Sequence, residues 1–583
     1  RECRMRAMSD PAGTERTRRL ARIGPAAVLV VLAGLVAALI ATAPDQESAG
    51  SPSAAPDSGG AVASGDLADA DLPAGVLPYS VAEARGQVGD IDWGDRCDVE
   101  RGVLAMPMTP PPGCFAPYDG PAGGATATGV TSDSIRVVVY VPQENDPILT
   151  FIYRQVGADD TPTDTFETYE GYNELLGRYF ETYRRRVELV RYEATGSISD
   201  AVAATADAET IARDIRPFAV IGGPALTDAF AETLAANKVM CVTCVPGRTT
   251  EWYEERAPYV WDLQKNTGQS QLMVAEYVGK RLAGREAAFG GEEVNGRLRR
   301  FGLIYLSSGP EAEELRVQME EILSDEYSVT FAEVASYSDP ISLGGQAREM
   351  LARMKSKGVT SILFIGDPLA PQALTRNATA QDYFPEWVIT GSALVDTSVF
   401  GRTYDQEQWR HAFGPSNLFA RVAPSVAGAA SLYRWYYGED PPARSTAPLI
   451  LPNLQFLYSV VQGAGPELTH VTFQRVIFGA EIIPGNVLSP QISWGDRGIW
   501  PGTDYAGVDD QTEVWWDVDA RGVDETGRDG GGLWAYVDGG KRHLPGQWPD
   551  TEPKVFDPDG AVTVYTDLPP GVTLTDYEPL PRD

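Results

Sequence analysis

The chain has 583 residues, with 81 Asp and Glu against 48 Lys and Arg, which gives a formal net charge of −33. A chain of this length is too long for one compact domain and can bury several cores, so two lobes with appendages are expected. The acidic balance repels phosphate backbones and anionic headgroups, which argues against nucleic-acid binding.

The chain begins with a basic segment, residues 1–22, followed by an unbroken apolar run over residues 23–43. Positive charge before an apolar run is the layout of an export signal, and a run of about 20 residues is also long enough to cross a bilayer. The sequence Ala-Thr-Ala at 41–43 has the form of a signal-peptidase site, but Pro44 directly after it should hinder cleavage. A retained anchor is favoured and a cleaved signal stays open. Either one predicts that the rest of the chain is extracellular, anchored to the membrane or secreted.

A linker and a small irregular segment follow the apolar run. Residues 44–89 are rich in Ala, Ser, Pro, Gly and Asp, which predicts a flexible linker. In residues 90–129, which we call the flap, Cys97 and Cys114 bracket a Pro-rich loop. A disulfide that closes such a loop outside the cell stabilises by about 3 kcal/mol, so we expect these two cysteines to be bridged.

From residue 130 the sequence alternates between strand and helix patterns. The first set of predicted strands covers residues 135–141, 187–193, 219–222 and 239–245, with helices at 168–183, 201–214 and 226–237. The second set has strands at 301–306, 329–336, 361–365 and 387–390, with helices at 269–282, 311–324, 344–357 and 370–380. This alternation implies parallel strands with crossover helices on both faces. Two such units predict an α/β protein with lobe 1 over 130–262 and lobe 2 over 263–395.

The remaining sequence predicts two further regions. Residues 396–488 carry helical patterns, interpreted as helices that return between the lobes. Residues 489–583 are rich in Trp, Gly and Asp and alternate with period two in places, which predicts a β-rich tail of hairpins that completes the lobes.

Cys241 and Cys244 lie in a stretch that is typical of a buried strand. In a fully extended strand their Cα atoms would be about 10 Å apart, beyond disulfide reach, so a bridge requires a turn. The flanking valines favour a structural role over a redox role, and bridged and free thiols both stay open. The three His residues are remote in sequence, so no metal site and no cofactor are predicted.

Local phrases in this order resemble one protein family. They are VIGGP at 220–224, VPGRTT at 245–250, FIGD at 364–367 and AGPELT at 464–469. Over about residues 130–549 the chain resembles type I periplasmic solute-binding proteins of ABC importers, in the Leu/Ile/Val-binding branch and in a divergent actinobacterial form. The resemblance implies a small-molecule ligand in a cleft between two lobes, an ABC permease as partner, a monomer and no enzymatic activity.

In open α/β sheets, ligands bind beyond the carboxyl ends of the strands, where a helix N-terminus attracts anions. With the resemblance, this position predicts ligand-binding residues in the loops of both lobes. They are Gly223, Pro224, Thr227, Arg248, Thr249 and Thr250 from lobe 1, and Ser307, Ser308, Asp367 and Ser392 from lobe 2.

Two of these residues carry specific expectations. The guanidinium of Arg248 suits a carboxylate or a phosphate, and a surface ion pair with Glu251, Glu254 or Glu255 is the open alternative. Family members that hold an amino acid place an acidic residue for its ammonium group in a lobe 2 loop. Because the loop after the last strand opens with Gly-Ser-Ala-Leu at 391–394, Asp367 in the neighbouring loop is the expected substitute.

The leading hypothesis is the capture of a small polar solute, an amino acid or a related compound, for an ABC importer. The alternative is a membrane-tethered module that senses a ligand or binds a partner protein. The sequence has no Gly-x-Ser-x-Gly elbow, dinucleotide or phosphate loop, or His-Glu-x-x-His pair, so no enzyme is predicted.

Overall fold

The computed structural model describes residues 72–582, except for residues 225, 245–246, 308–309 and 341. The predicted basic segment, the signal or anchor at 23–43 and most of the linker lie outside the described residues. Among the described residues, no helix combines the length and the apolar character needed to span a membrane.

The flap packs on lobe 1 and is stapled as expected. It is preceded by α1 (Tyr79–Ala84) and contains the short antiparallel strands β1 (Cys97–Asp98) and β2 (Val103–Leu104). Cys97 and Cys114 form a disulfide with their Cα atoms 5.8 Å apart, which confirms the prediction. The end of the predicted linker is ordered because Ala82 of α1 packs into the lobe 1 core.

Lobe 1 is built on a five-stranded sheet in the order β4-β3-β5-β6-β7. All its strands run parallel, as the alternating pattern predicts. Its elements are β3 (Ser134–Val141), α2 (Pro147–Val156), α3 (Pro162–Tyr179), β4 (Arg186–Glu193), α4 (Ala201–Thr210), β5 (Ala219–Ile221), α5 (Ala229–Ala236), β6 (Met240–Val242), α6 (Thr250–Glu254) and β7 (Val260–Trp261).

Lobe 2 has an eight-stranded sheet in the order β14-β13-β12-β11-β10-β8-β9, with β15 beside β13. Strands β8 to β12 are parallel, and the last three pair antiparallel. Its first elements are α7 (Thr267–Tyr277), β8 (Phe301–Leu306), α8 (Pro310–Tyr327), β9 (Glu333–Tyr337), α9 (Gly344–Ser356), β10 (Ser361–Ile365), α10 (Ala370–Thr379), β11 (Glu386–Ile389), α11 (Ser398–Gly401), α12 (Gln406–Trp409) and β12 (Ala412–Ser416).

The C-terminal part contributes to both lobes. Buried residues of the next three helices join the lobe 1 core, and the final strands extend the lobe 2 sheet. These elements are α13 (Ala429–Tyr437), α14 (Ala447–Ala464), α15 (His470–Gly479), β13 (Gln511–Val523), β14 (Asp529–Tyr536) and β15 (Arg542–His543). Residues 396–488 were expected to hold only helices that return between the lobes, but they also contain β12. The residues of this strand are buried and pair with β11 and β13.

Helix α2 is an unpredicted element that ties the lobes together. It follows the lobe 1 strand β3, yet its residues Leu149, Ile152 and Val156 belong to the lobe 2 core. Asp146 caps the helix by accepting hydrogen bonds from the amides of Ile148 and Leu149, at 2.8 and 2.9 Å. Separating the lobes at this point would therefore expose buried apolar side chains, which is unfavourable.

Cys241 and Cys244 are bridged, with their Cα atoms 5.9 Å apart. The turn that a bridge requires is present, because β6 ends at Val242 and Thr243 adopts a φ of 53°. The disulfide therefore lies at the carboxyl end of β6, in the loop that leads towards the cleft between the lobes.

Candidate ligand site between the lobes

A cavity of about 400 Å³ lies between the carboxyl-end loops of the two lobes. Lobe 1 contributes the loops that follow β5 and β6, and lobe 2 contributes those that follow β8, β10 and β11. Polar lining residues from lobe 1 and the interlobe connections are Asp228, Arg248, Gln264, Lys265 and Asn417, and those from lobe 2 include Gln271, Glu311, Ser392 and Asp396. The cavity occupies the position that the sequence predicts for a ligand.

Arg248 links the lobes through ion pairs. Its guanidinium pairs with Asp228 of lobe 1 and lies 3.1 Å from Glu311 Oε2 of lobe 2. Glu311 Oε1 also accepts a hydrogen bond from the amide of Thr249 at 3.3 Å. Arg248 is thus in an ion pair, as in the open alternative, but with partners other than the three glutamates named there. Glu311 of lobe 2 therefore contacts lobe 1 through both carboxylate oxygens, and we call this interlobe contact the Glu311 latch.

Asp396 is the cavity residue whose carboxylate is least satisfied. Its Oδ2 accepts a hydrogen bond from Ser416 Oγ at 2.5 Å, whereas Oδ1 is buried and has no partner among the described residues. The residue is 4% exposed, and burial raises the pKa of its carboxyl to about 6. A ligand group that donates a hydrogen bond, above all a cationic one, would satisfy this oxygen.

Sequence reasoning missed Asp396, although a signal for it was present. The residue lies in the loop that follows β11, two positions beyond Leu394, and this is the lobe 2 loop that the sequence analysis considers for an acidic residue. Asp367 of the neighbouring loop is the residue expected from the sequence in this role.

Lys265 supplies a positive group to the same cavity. It lies in the connection after β7, and its Nζ donates to the carbonyl of Asp510 at 2.9 Å and is 3.0 Å from Met273 Sδ. Burial lowers the pKa of this ammonium to about 7. An ammonium has three donors. The contacts with Asp510 and Met273 use two of them, and the ring of Trp500 lies 5.3 Å from Nζ, so at most one donor is free for a ligand. The cavity thus combines a carboxylate acceptor with a cationic donor.

Two of the predicted site residues line the cavity, Arg248 and Ser392. Ser392 Oγ hydrogen-bonds to the amide and the carbonyl of Gly366, at 3.1 Å each, so it fixes the neighbouring loop. The predicted residues that do not line it are Gly223, Pro224, Thr227, Thr249, Thr250, Ser307 and Asp367. Ser308 lies outside the described residues.

Asp367 lies outside the cavity lining, and its side chain accepts hydrogen bonds at the start of helix α10. Its Oδ1 accepts from the amides of Leu369 and Ala370, at 2.8 and 3.0 Å, and its Oδ2 accepts from the hydroxyl of Tyr337 at 2.5 Å. It is fully buried, and burial raises the pKa of its carboxyl to about 6. Because both oxygens already accept protein hydrogen bonds, Asp396 is the better placed acidic residue for a ligand.

No protein-family model matches the sequence, and no curated protein matches it. The structure is similar to solved solute-binding proteins of ABC transporters. One from Rhodopseudomonas palustris BisB5, in complex with 3,4-dihydroxybenzoic acid, is 11% identical at a TM-score of 0.46, over 71% of this chain and 97% of its own.

Two further similar structures come from other bacteria. A fatty acid ABC transporter substrate-binding protein from Thermomonospora curvata is 13% identical at a TM-score of 0.46, over 70% of this chain and 93% of its own. A branched-chain amino acid transporter substrate-binding protein from Streptococcus pneumoniae, in complex with isoleucine, is 12% identical at a TM-score of 0.44, over 69% of this chain and 100% of its own. These neighbours are components of transporters and not enzymes. The ligands named above belong to those proteins.

Proposed function

We propose that this chain is an extracellular solute-binding protein that captures a small polar solute in the interlobe cleft for an ABC importer. One observation carries the proposal: a cavity of about 400 Å³ is lined by loops of both lobes and contains a buried Asp396 oxygen without a partner among the described residues. Small-molecule sites have volumes of roughly 300–1,000 Å³. An unpaired buried acceptor is unfavourable until a ligand donates to it.

The lining residues favour an amino acid or a related zwitterion. A ligand ammonium would bind Asp396, and a ligand carboxylate would bind Lys265. The cavity is also lined by Leu306, Leu315 and Leu394, which would contact an apolar side chain of the solute. This arrangement supports the amino-acid branch of the family, with a permease as partner, a monomeric state and an N-terminal anchor as further parts of the proposal.

A membrane-tethered sensing or partner-binding module is the second candidate. Helix α2 favours it, because Leu149, Ile152 and Val156 of this helix are buried in the lobe 2 core and oppose separation of the lobes. A protein that releases solute to a permease needs the lobes to open, whereas a scaffold does not.

A thermal-shift screen of the purified protein against amino acids, amides, short peptides, polyamines, sugars and aromatic acids tests whether the protein binds a solute, and so separates solute binding from partner binding. A ligand present at 100 times its Kd stabilises the native state by about 2.7 kcal/mol. We expect a shift with α-amino acids and none with the matched α-hydroxy acids, which lack the ammonium group. A folded sample that responds to no member of the panel would favour the partner-binding module.

The Glu311 latch gives a second prediction. Glu311→Gln should weaken the affinity for the solute about two- to fivefold, because the closed state loses a partly exposed ion pair worth about 0.5–1 kcal/mol. Isothermal titration calorimetry measures the change. Glu314→Gln is the matched control, since Glu314 is exposed on the same helix and does not line the cavity. Equal affinities for the two variants would contradict the role of Glu311 in closure.

A further inference from the structure

A second cavity, of about 260 Å³, lies where the flap meets helix α14 and the start of the C-terminal tail. Its walls are mostly apolar and include Met108 of the flap, Phe456 and Val460 of α14, and Trp494. An apolar cavity of roughly 150 Å³ is already large enough to stay dry and bind benzene. The volume here therefore accommodates a larger apolar molecule.

Among the described residues, one buried side-chain oxygen in this wall has no hydrogen-bond partner. Thr109 lines the cavity and is 2% exposed, and its Oγ1 makes no hydrogen bond to the described residues. A buried hydroxyl without a partner is unfavourable by about 1–3 kcal/mol. A ligand hydroxyl or carbonyl that met Thr109 would remove this penalty, so Thr109 offers an anchoring point within a mostly apolar surface.

The charged groups of the wall exclude an anionic ligand. Its charged lining residues are Asp262 and Glu481, and no Lys, Arg or His of the described chain lines it. The carboxylate of Asp262 already accepts from the hydroxyl of Tyr253 and the amide of Gln264, at 3.0 Å each. A ligand carboxylate would be desolvated near two acidic residues with no cation to pair with, which is strongly unfavourable.

We propose that this cavity is a second ligand site, which binds a neutral and largely apolar small molecule that carries one hydrogen-bonding group. The site differs from the interlobe cleft in its chemistry, because the cleft offers both a cationic donor and a carboxylate. Helix α14 presents Ser459 to the cavity, and this residue is exposed although it lies between the buried residues Tyr458 and Val460. The cavity is thus open to an entering ligand at this position.

Titration of the purified full chain with 1-naphthol tests the site, since this probe has a bicyclic apolar body and one hydroxyl. We expect saturable binding of 1-naphthol, and binding of 1-naphthoate that is weaker by tenfold or more because of its charge. Thr109→Val should weaken 1-naphthol about fivefold through loss of one hydrogen bond. Failure of 1-naphthol to bind the folded protein, or equal affinity for the anion, would overturn the proposal.

A cavity-filling variant locates the binding. Ser459→Trp should reduce the affinity for 1-naphthol at least tenfold, because the indole occupies the cavity from an exposed helical position. Ser324→Trp, on an exposed position of α8, is the matched control and should bind as the wild type does. Asp396→Asn should also leave 1-naphthol binding unchanged. Full affinity in Ser459→Trp, or lost affinity in Asp396→Asn, would place the probe elsewhere and refute the second site.

Discussion

Replacing Asp396 by asparagine is expected to stabilise the protein at neutral pH and to weaken the capture of the solute about 100-fold. The buried Asp396 Oδ1 has no partner among the described residues, whereas Oδ2 is held by Ser416. Asparagine keeps an acceptor for Ser416 but loses the charge that a ligand ammonium needs. A hydrogen bond to a charged group is worth about 1.5–3 kcal/mol, so the affinity should fall about 100-fold.

The stability gain follows from the titration of Asp396. Burial raises the pKa of this carboxyl from 3.8 to about 6 in the folded protein. Because the folded-state pKa is the higher one, the contribution of Asp396 to stability is fully present below about pH 4 and is lost as the pH rises through 6. Asp396→Asn should therefore exceed the wild type by about 3 kcal/mol above pH 6 and match it near pH 4. Thermal unfolding across this pH range measures the difference.

The affinity for the solute should also depend on the titration of Asp396, but the charge of this residue favours binding, whereas it lowers stability. Protonation of Asp396 below pH 6 removes its charge, which alone weakens the binding of an amino acid about tenfold at pH 5 relative to pH 7.5. Lys265, whose ammonium has a pKa of about 7, gains charge over the same range and offsets this loss about fourfold. The wild type should therefore bind about two- to threefold more weakly at pH 5, whereas Asp396→Asn should bind about fourfold more tightly at pH 5.

Asp367→Asn is the matched control for this titration, because Asp367 is equally buried and outside the cavity lining. Lost affinity in Asp367→Asn together with normal affinity in Asp396→Asn would return the ammonium-binding role to Asp367.

Local sequence patterns predict the two sheets well, because each strand is specified by its own side chains. Residues 301–306 and 361–365 are continuous apolar runs, and the structure has strands with these bounds, Phe301–Leu306 and Ser361–Ile365. Helix α2 escaped prediction even though Asp146 and Pro147 form a helix-start signal. The apolar face of α2 packs on lobe 2 although the helix follows a lobe 1 strand. The spacing of apolar residues along a helix predicts that one face is buried, but it does not indicate which lobe that face will contact.

The site is less predictable for the same reason. Strand order places Arg248 and Ser392 at the carboxyl ends of their sheets, and both line the cavity. Glu311 and Lys265 enter the site because of how the two lobes face each other, which depends on contacts far apart in sequence. The Cys241–Cys244 bridge depends on a positive φ at Thr243, a backbone conformation that a threonine does not signal.

Replacing Glu386 by glutamine should strongly destabilise lobe 2. The side chains of Arg299 and Glu386 are both 0% exposed, and Arg299 Nε lies 2.9 Å from Glu386 Oε2. Glu386 also accepts hydrogen bonds from Ser361 Oγ at 2.5 Å and from the amide of Ala288 at 3.0 Å. Removing one member of a buried pair destabilises by about 3–5 kcal/mol, because the half-exposed Glu552, 3.9 Å from Arg299 Nη1, would be the remaining partner of this buried charge.

Hydrogen exchange of peptides from β8, β10 and β11 measures this loss, since these amides open with the lobe 2 sheet. Glu333→Gln is the matched control, because its partner Arg353 is 42% exposed, and it should change stability by less than about 1 kcal/mol. An equally small effect for Glu386→Gln would contradict the prediction.

The two expected results separate stability from binding within a single strand and its loop. Glu386 begins β11 and Asp396 lies in the loop beyond its carboxyl end, so one charge is fully paired within the protein and the other keeps an oxygen for the ligand. Under conditions in which it stays folded, Glu386→Gln should therefore retain the wild-type affinity for the solute, whereas the more stable Asp396→Asn should not. A parallel loss of stability and affinity in both variants would show that Asp396 only supports the fold.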